Sequence, residues 1–234
     1  MKLSVNALNS FYGPAHILFD VELDVAEGEV VALLGRNGAG KSTTFRSIVG
    51  LVAQRSGRIV FEGRDVTREP THAIVRAGLG YVPEDRRIFT DLTVEENLEV
   101  GRQPPRAGAP QWTRDKLFTL FPNLGEMRSR LGGRMSGGEQ QMLTIARTLM
   151  GNPSLVLLDE PSEGLSPKIV EQMAHAILTM KKEGVSILVS EQNLHFARLI
   201  SDRVSIIERG RICYRGTMEE LEARPDIRDA HLAV

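Results

Sequence analysis

The chain of 234 residues has one cysteine, Cys213, so no internal disulfide can brace it, and a chain of this length can bury a core that needs none. It also lacks an excess of charge of either sign. The 29 basic and 30 acidic residues leave a formal net charge of -1, which removes any global electrostatic reason to expect nucleic acid as a partner. The short basic runs "RRIF" and "RSRLGGR" read as solvated surface. No stretch approaches the roughly 18 consecutive apolar residues of a membrane-spanning helix. Residues 1–10 are polar and alternating, without the apolar core of a signal peptide. The chain is therefore expected to be cytosolic and not itself membrane-spanning, which leaves docking onto a membrane protein open. Internal repeats and low-complexity tracts are missing too.

What is present is regular hydrophobic patterning. Residues 1–8, 19–25 and 29–34 alternate or run apolar and read as strands, with "AEGE" at 26–29 as a tight connection. "GRIVFEGRDV" at 57–66 adds a strand pair, which predicts a small antiparallel layer near the N-terminus. The pattern turns helical over 41–49, with Gly50 as a stop, and 79–82 reads as a short strand. "TVEENLEVG" at 93–101 reads as a short helix with Thr93 as N-cap and Glu96 three residues on. Three prolines within 103–110 mark a loop inside a mostly helical insertion from about 90 to 150. Then come helix 137–150, strand 154–158, helix 167–182, strand 185–189, helix 193–200 and strand 203–207. That is the rhythm of a mainly parallel sheet covered on both faces. The last 18 residues read as two short helices around a Pro-broken turn.

Two motifs carry chemistry. "GRNGAGKST" at 35–43 fits G-x-x-x-x-G-K-[ST]. Its glycines let successive backbone N–H groups turn inward around phosphate oxygens, Lys41 brings an ammonium to the outer phosphates, and Ser42 offers a hydroxyl to Mg²⁺. A Gly-rich turn could match the bare pattern, so the context matters: the buried strand "EVVALL" precedes it and the helical "STTFRSIV" follows. Gly35, Asn37, Gly38, Ala39, Gly40, Lys41, Ser42 and Thr43 are the expected phosphate-binding residues. "SLVLLDEPSEG" at 154–164 is an apolar strand ending in Asp159 and Glu160. The first carboxylate suits a Mg²⁺ shell and the second can polarise water.

A third stretch, "ILVSEQNLHF" at 187–196, looks like another buried strand delivering polar side chains to its C-terminal end, where open α/β sheets keep their ligands. It delivers a neutral amide, Gln192. An amide can accept from an attacking water while donating to a phosphate oxygen, with no proton to titrate. Histidine does both only in one tautomer and charge state. The plainer alternative is that Gln192 caps the helix that opens at Asn193.

These motifs, with "MSGGEQQ" at 135–141 between the first two, resemble the ATP-binding cassette ATPases, and the likeness covers nearly the whole chain. The resemblance implies an α/β P-loop NTPase with a RecA-like parallel sheet core, an N-terminal antiparallel β layer and a helical lobe at about 90–150, in a single domain spanning 1–234. It implies ATP and Mg²⁺ as cofactors, with Ser42 and Asp159 on the metal and Glu160, Gln192 and Lys41 in catalysis. Tyr12 matches the aromatic that stacks on adenine. Ser136, Gly137 and Gly138 match the signature that closes over the γ-phosphate held by the opposite subunit, so a working site takes two chains. Ser166 in "PSEGLSP" stands where many members carry Asp. Glu84 stands where most place a Gln that links phosphate and metal to the membrane domains, and Gln192 where most have His.

"YVPEDRRIFTDLTVEENLEVG" and "VSEQNLHFA" are similar to the cassette subunits of branched-chain amino acid importers. The implied partners are a second, non-identical cassette, integral membrane permeases and, indirectly, a periplasmic or extracellular solute-binding protein, with no nucleic acid. The implied location is peripheral, at the cytoplasmic face of the membrane. Two other readings stand beside this one: an importer of urea or short amides, whose cassettes often show the "EG" of Glu163–Gly164, and an ATP-gated clamp on nucleic acid.

Overall fold

The computed structural model describes residues 1–232. Two sheets organise it. Strands β1 (Leu3–Tyr12), β2 (Ala15–Val25), β4 (Gln54–Phe61) and β5 (Arg64–Asp65) form an antiparallel sheet in the order β2-β1-β4-β5. Strands β3 (Val30–Leu34), β6 (Leu79–Val82), β7 (Leu155–Asp159), β8 (Ser186–Glu191), β9 (Arg203–Glu208) and β10 (Arg211–Thr217) form the second, in the order β10-β9-β3-β8-β7-β6. All its pairings are parallel except β9 with β10.

The alternation of side chains along each parallel strand divides the interior in two. Val30, Ala32, Leu34, Val156, Leu158, Ile187 and Val189 face one core, while Val31, Leu33, Leu155, Leu157 and Leu188 face the other. The second core is closed by the antiparallel sheet and by Phe45 and Ile48 of α1 (Lys41–Ile48). Phe45 is fully buried there, worth about 2–3 kcal/mol in area removed from water. The first core is closed by helices: α6 (Gly137–Leu149), α7 (Pro167–Lys182) and α8 (Leu194–Ile200), joined by Leu98 of α3 (Val94–Gly101) and Leu117 of α4 (Arg114–Leu120). Helix α2 (Thr71–Arg76) precedes β6, and α5 (Pro122–Glu126) follows α4.

Most expected elements are present, and α7 matches to the residue. Helix α3 starts on the expected cap, with Thr93 and Glu96 bonded reciprocally. The N-terminal strands are longer than the sequence reading, turning at Gly13 instead of crossing a long loop. Register shifts in the β1–β2 pairing after Val5, Leu8 and Ser10, with Ala7 at φ 49°, break the alternation that would have revealed them. Strand β10 was not foreseen: it is an edge strand with no fully buried residue, so it shows no apolar run. The turn before it needs glycine, because Gly210 has φ 76° and any Cβ there would collide with the Ile17 carbonyl. The two tail helices are α9 (Met218–Glu222) and α10 (Pro225–His231). The last two residues of that stretch, 233 and 234, lie outside the described residues.

Candidate functional site: a phosphate loop, two carboxylates and an amide

The carboxyl ends of three neighbouring strands meet at one level, since Leu34 pairs with Glu191 and Asp159 with Ser190. The phosphate loop leaves β3 here. Gly38 and Gly40 sit at φ 77° and 116°, a region open to glycine, and a Cβ on Gly40 would meet Leu18 Cδ2 at 2.9 Å. Asn37 and Gly38 are exposed, Ala39 and Gly40 buried, and Thr43 lies in the first turn of α1. Lys41 is only 3% exposed. Its Nζ donates to the carbonyls of Gly35 at 2.7 Å and Arg36 at 3.1 Å and pairs with Glu160 Oε1 at 3.0 Å.

Asp159 is fully buried and fully engaged. Its Oδ1 accepts from Ser42 Oγ at 3.1 Å and Ser190 Oγ at 2.7 Å, and its Oδ2 from the Tyr81 hydroxyl at 3.2 Å. Burial raises its carboxyl above the ordinary range, these hydrogen bonds pull against that, and the Glu160 charge adds to the rise. Ser42 and Asp159 together present hard oxygen donors next to the phosphate loop, a set that fits Mg²⁺.

Glu160 takes a left-handed backbone, φ 47°, held by its N–H donating to Ser190 O at 3.1 Å and Ser190 Oγ at 3.0 Å. Burial pushes its carboxyl up, but hydrogen bonds from Lys41 and Gln192 and the Lys41 charge prevail and leave it low. It is therefore ionised near neutrality, as an acceptor of a water proton must be. Neighbouring Glu163 is raised, first by its hydrogen bond to Glu160, then by burial and by the charges of Glu160 and Glu84. Glu84 is itself exposed, in the turn after β6.

Gln192 answers the question its position posed. Its Nε2 donates to Asn37 Oδ1 at 2.7 Å and to Glu160 Oε2 at 3.1 Å, bridging the phosphate loop and the acidic pair. The helix cap is Asn193, whose Oδ1 accepts the Phe196 N–H at 3.1 Å.

A family model described as ABC transporter matches residues 18–163. The chain belongs to the ABC transporter family. It is 43% identical to the high-affinity branched-chain amino acid transport ATP-binding protein BraG of Pseudomonas aeruginosa, over 98% of this chain and 99% of that one. It is 37% identical to a probable branched-chain amino acid transport ATP-binding protein, LivF, of Archaeoglobus fulgidus, over 92% and 91% of the two chains. It is also 36% identical to the lipopolysaccharide export system ATP-binding protein LptB of Haemophilus influenzae, over 98% and 96%. A solved ATP-binding subunit of an ABC transporter superposes with a TM-score of 0.81 at 30% identity, covering 99% of this chain and 96% of that one. The cassette is thus an ATP-binding subunit and an ATPase of a transporter.

The other expected residues lie apart from this cluster. Tyr12 ends β1, 46% exposed, near Arg46 of α1. Ser136 is exposed and caps α6: its N–H donates to Glu139 Oε2 at 2.7 Å, and its Oγ accepts the Glu139 N–H at 3.4 Å. Gly137 faces the Arg86 guanidinium, and Gly138 faces Ile169. Among the described residues no hydrogen bond joins Ser136, Gly137 or Gly138 to the phosphate loop. Sequence reading missed Tyr81 and Ser190 as holders of Asp159. Their signal was faint: a hydroxyl at the end of an apolar strand. It also missed Arg86 as the cover of the signature, which only the fold of the 84–89 turn reveals.

Proposed function

We propose that this chain energises the import of branched-chain amino acids through membrane permeases by binding and hydrolysing ATP. The supporting observation is the convergence of Lys41, Asp159, Glu160 and Gln192 at the ends of β3, β7 and β8 in a chain with whole-length likeness to BraG. On this reading the whole chain, with its helical segment at about 90–150, works as one cassette. Lys41 and the backbone N–H groups of residues 35–43 hold the phosphates, and Tyr12 meets the adenine. Ser42 and Asp159 would hold Mg²⁺, whose charge would offset that of the phosphate oxygens. Glu160 orients and deprotonates the attacking water, and Gln192 positions it. As ATP enters, Lys41 turns its charge to phosphate and releases Glu160 from their ion pair.

Ser136, Gly137 and Gly138 serve the γ-phosphate bound by a second cassette, a role supported by the exposure of Ser136 at the start of α6, away from the phosphate loop of its own chain. The permease docks on an apolar groove between the two lobes, lined by Val75, Tyr81, Phe89 and Val100. Phe89 and Val100 are about half exposed, at 47% and 53%, and Glu84, at the position that the resemblance links to the membrane domains, is exposed in the turn that leads to Phe89. Glu84 would join this groove to the acidic pair through Glu163. Among the described residues no helix is long and apolar enough to cross a membrane, and the proposed permease contact would hold the subunit peripherally at the cytoplasmic face.

The test is reconstitution with branched-chain amino acid permeases and their solute-binding protein, followed by ATP-driven uptake of labelled leucine. Saturable leucine uptake is expected. Uptake of urea instead, or release of lipopolysaccharide, would move the chain to another branch, and salt-dependent binding of nucleic acid would reopen the clamp reading.

A further inference from the structure

Between Ser190 and Gln192 stands Glu191, a residue the hydrolytic site as described does not use. It is 2% exposed at the end of β8, and a carboxylate is rarely buried so deeply without a task. Its Oε1 accepts the Ser162 N–H at 3.1 Å, and its Oε2 accepts the Asn193 N–H at 3.4 Å. Its own carbonyl accepts the N–H of Gly35, the first residue of the phosphate loop, at 3.3 Å. Three segments that the parallel ladder brings to one level therefore also share one side chain or carbonyl of this residue. The neighbours on either side do related work. Ser190 holds the Asp159 carboxylate and the Glu160 N–H, and Gln192 holds the Glu160 carboxylate and Asn37. Residues 190–192 thus grip the acidic loop at three successive points: the metal-side carboxylate, the backbone beyond Glu160, and the water-side carboxylate.

We propose that Glu191 is a positioning residue of the hydrolytic site. Its buried carboxylate ties the loop after Glu160 to the turn that carries Gln192, so Glu160 and Gln192 face one water position together. The inference rests on the reading of Glu160 and Gln192 given above. Glu191 touches no substrate: it acts on Glu160 through the Ser162 backbone and on Gln192 through the Asn193 backbone. An interaction of this kind fixes the geometry of the reacting groups and contributes little to ATP affinity, which comes from the phosphate loop. In its ionised form Glu191 accepts both bonds. Glutamine keeps one acceptor oxygen and turns an N–H toward a backbone N–H at the other site, so it satisfies only half of the pair.

The experiment compares full-length wild type, Glu191→Ala, Glu191→Gln and Glu160→Gln in single-turnover ATP hydrolysis with Mg²⁺ at high protein concentration. Affinity for a fluorescent ATP analogue and the thermal midpoint are measured on the same samples. Glu191→Ala is expected to slow hydrolysis at least tenfold with affinity changed less than twofold. Glu191→Gln should fall between, about threefold slower than wild type. Hydrolysis within twofold of wild type in Glu191→Ala would overturn the proposal, and so would a loss of affinity as large as the loss of rate, or a Gln variant no better than Ala. If Glu191→Ala does not fold, the Gln variant decides: unchanged rate overturns, and a threefold loss at constant affinity supports. The Glu160→Gln arm separates the two levels. An active Glu160→Gln sinks the underlying site reading, whereas an inactive one beside a fully active Glu191→Ala sinks the positioning role alone.

Discussion

The two ends of the ATP machinery are built differently. At the phosphate-loop end, Lys41, Asp159, Glu160 and Gln192 are bound to one another or to backbone. At the signature end, Ser136 is exposed and spends its hydrogen bonds on its own helix start. One end is preorganised within the chain; the other is an exposed helix start, capped by its own Glu139 and, among the described residues, joined to the phosphate loop by no hydrogen bond. On the proposed function, a hydrolytic site that needs both takes its halves from two chains. The buried half also carries more at stake, because leaving one member of the 3.0 Å Lys41–Glu160 pair alone costs about 3–5 kcal/mol. Trimming an exposed cap costs about 1 kcal/mol.

Glu160→Gln sharpens this comparison most. Removing the carboxylate that activates water should lower hydrolysis by about 100-fold or more. Phosphate binding at both ends survives, so ATP accumulates as the link between two chains. Size-exclusion chromatography with ATP and Mg²⁺ should then show a dimer that disappears when ATP is withdrawn. A variant that hydrolyses normally and stays monomeric would break the division of the site into two halves.

Much of this was legible in the chain itself. The phosphate loop and the acidic strand end are local: glycine spacing, a lysine, a carboxylate pair, each flanked by an apolar strand, and short-range chemistry of that kind survives in one dimension. What could not be read was whatever depends on which strands become neighbours. Tyr81 and Ser190 reach Asp159 from β6 and β8 on either side of β7, and nothing in "GLGYVP" or "LVSEQN" announces that adjacency. Arg86 reaches Gly137 only because its turn adopts φ 60°. The hairpin at Gly13 was hidden by bulges that scramble a period of two. Gln192 lay between: its chemistry was readable, but its two partners, Asn37 and Glu160, come from the fold.

Removing Gln192 breaks the preorganised end without touching a charge. Gln192→Ala should slow hydrolysis about ten- to a hundredfold, the cost of one transition-state hydrogen bond, while ATP affinity falls far less. Steady-state rates at saturating ATP, alongside binding isotherms, separate the two. Equal losses of rate and affinity would mean that the amide serves binding, and that Glu160 alone handles the water.

The smallest expected effect lies deepest in that same end. Burial pushes the Glu191 carboxyl up to about 7 from an ordinary 4.5, against the hydrogen bonds from Ser162 and Asn193 and with the help of the Glu160 charge. Between those two values the folded chain holds a proton that the unfolded chain has released. The native state therefore binds more protons over that window, and stability must fall as pH rises through it. The contribution is complete below about pH 4.5 and gone above about pH 7. A shift of this size amounts to roughly 3 kcal/mol. Glu191→Gln cannot titrate, so the difference in unfolding free energy between wild type and this variant should decline by up to that amount across the window, the rest of the protein's titration cancelling. Urea unfolding of both proteins at half-unit intervals of pH measures it. A flat difference would mean that the two N–H bonds outweigh burial and that Glu191 stays ionised throughout. Its grip on the acidic loop would then be that of a full charge, and hydrolysis would owe none of its pH dependence to this residue.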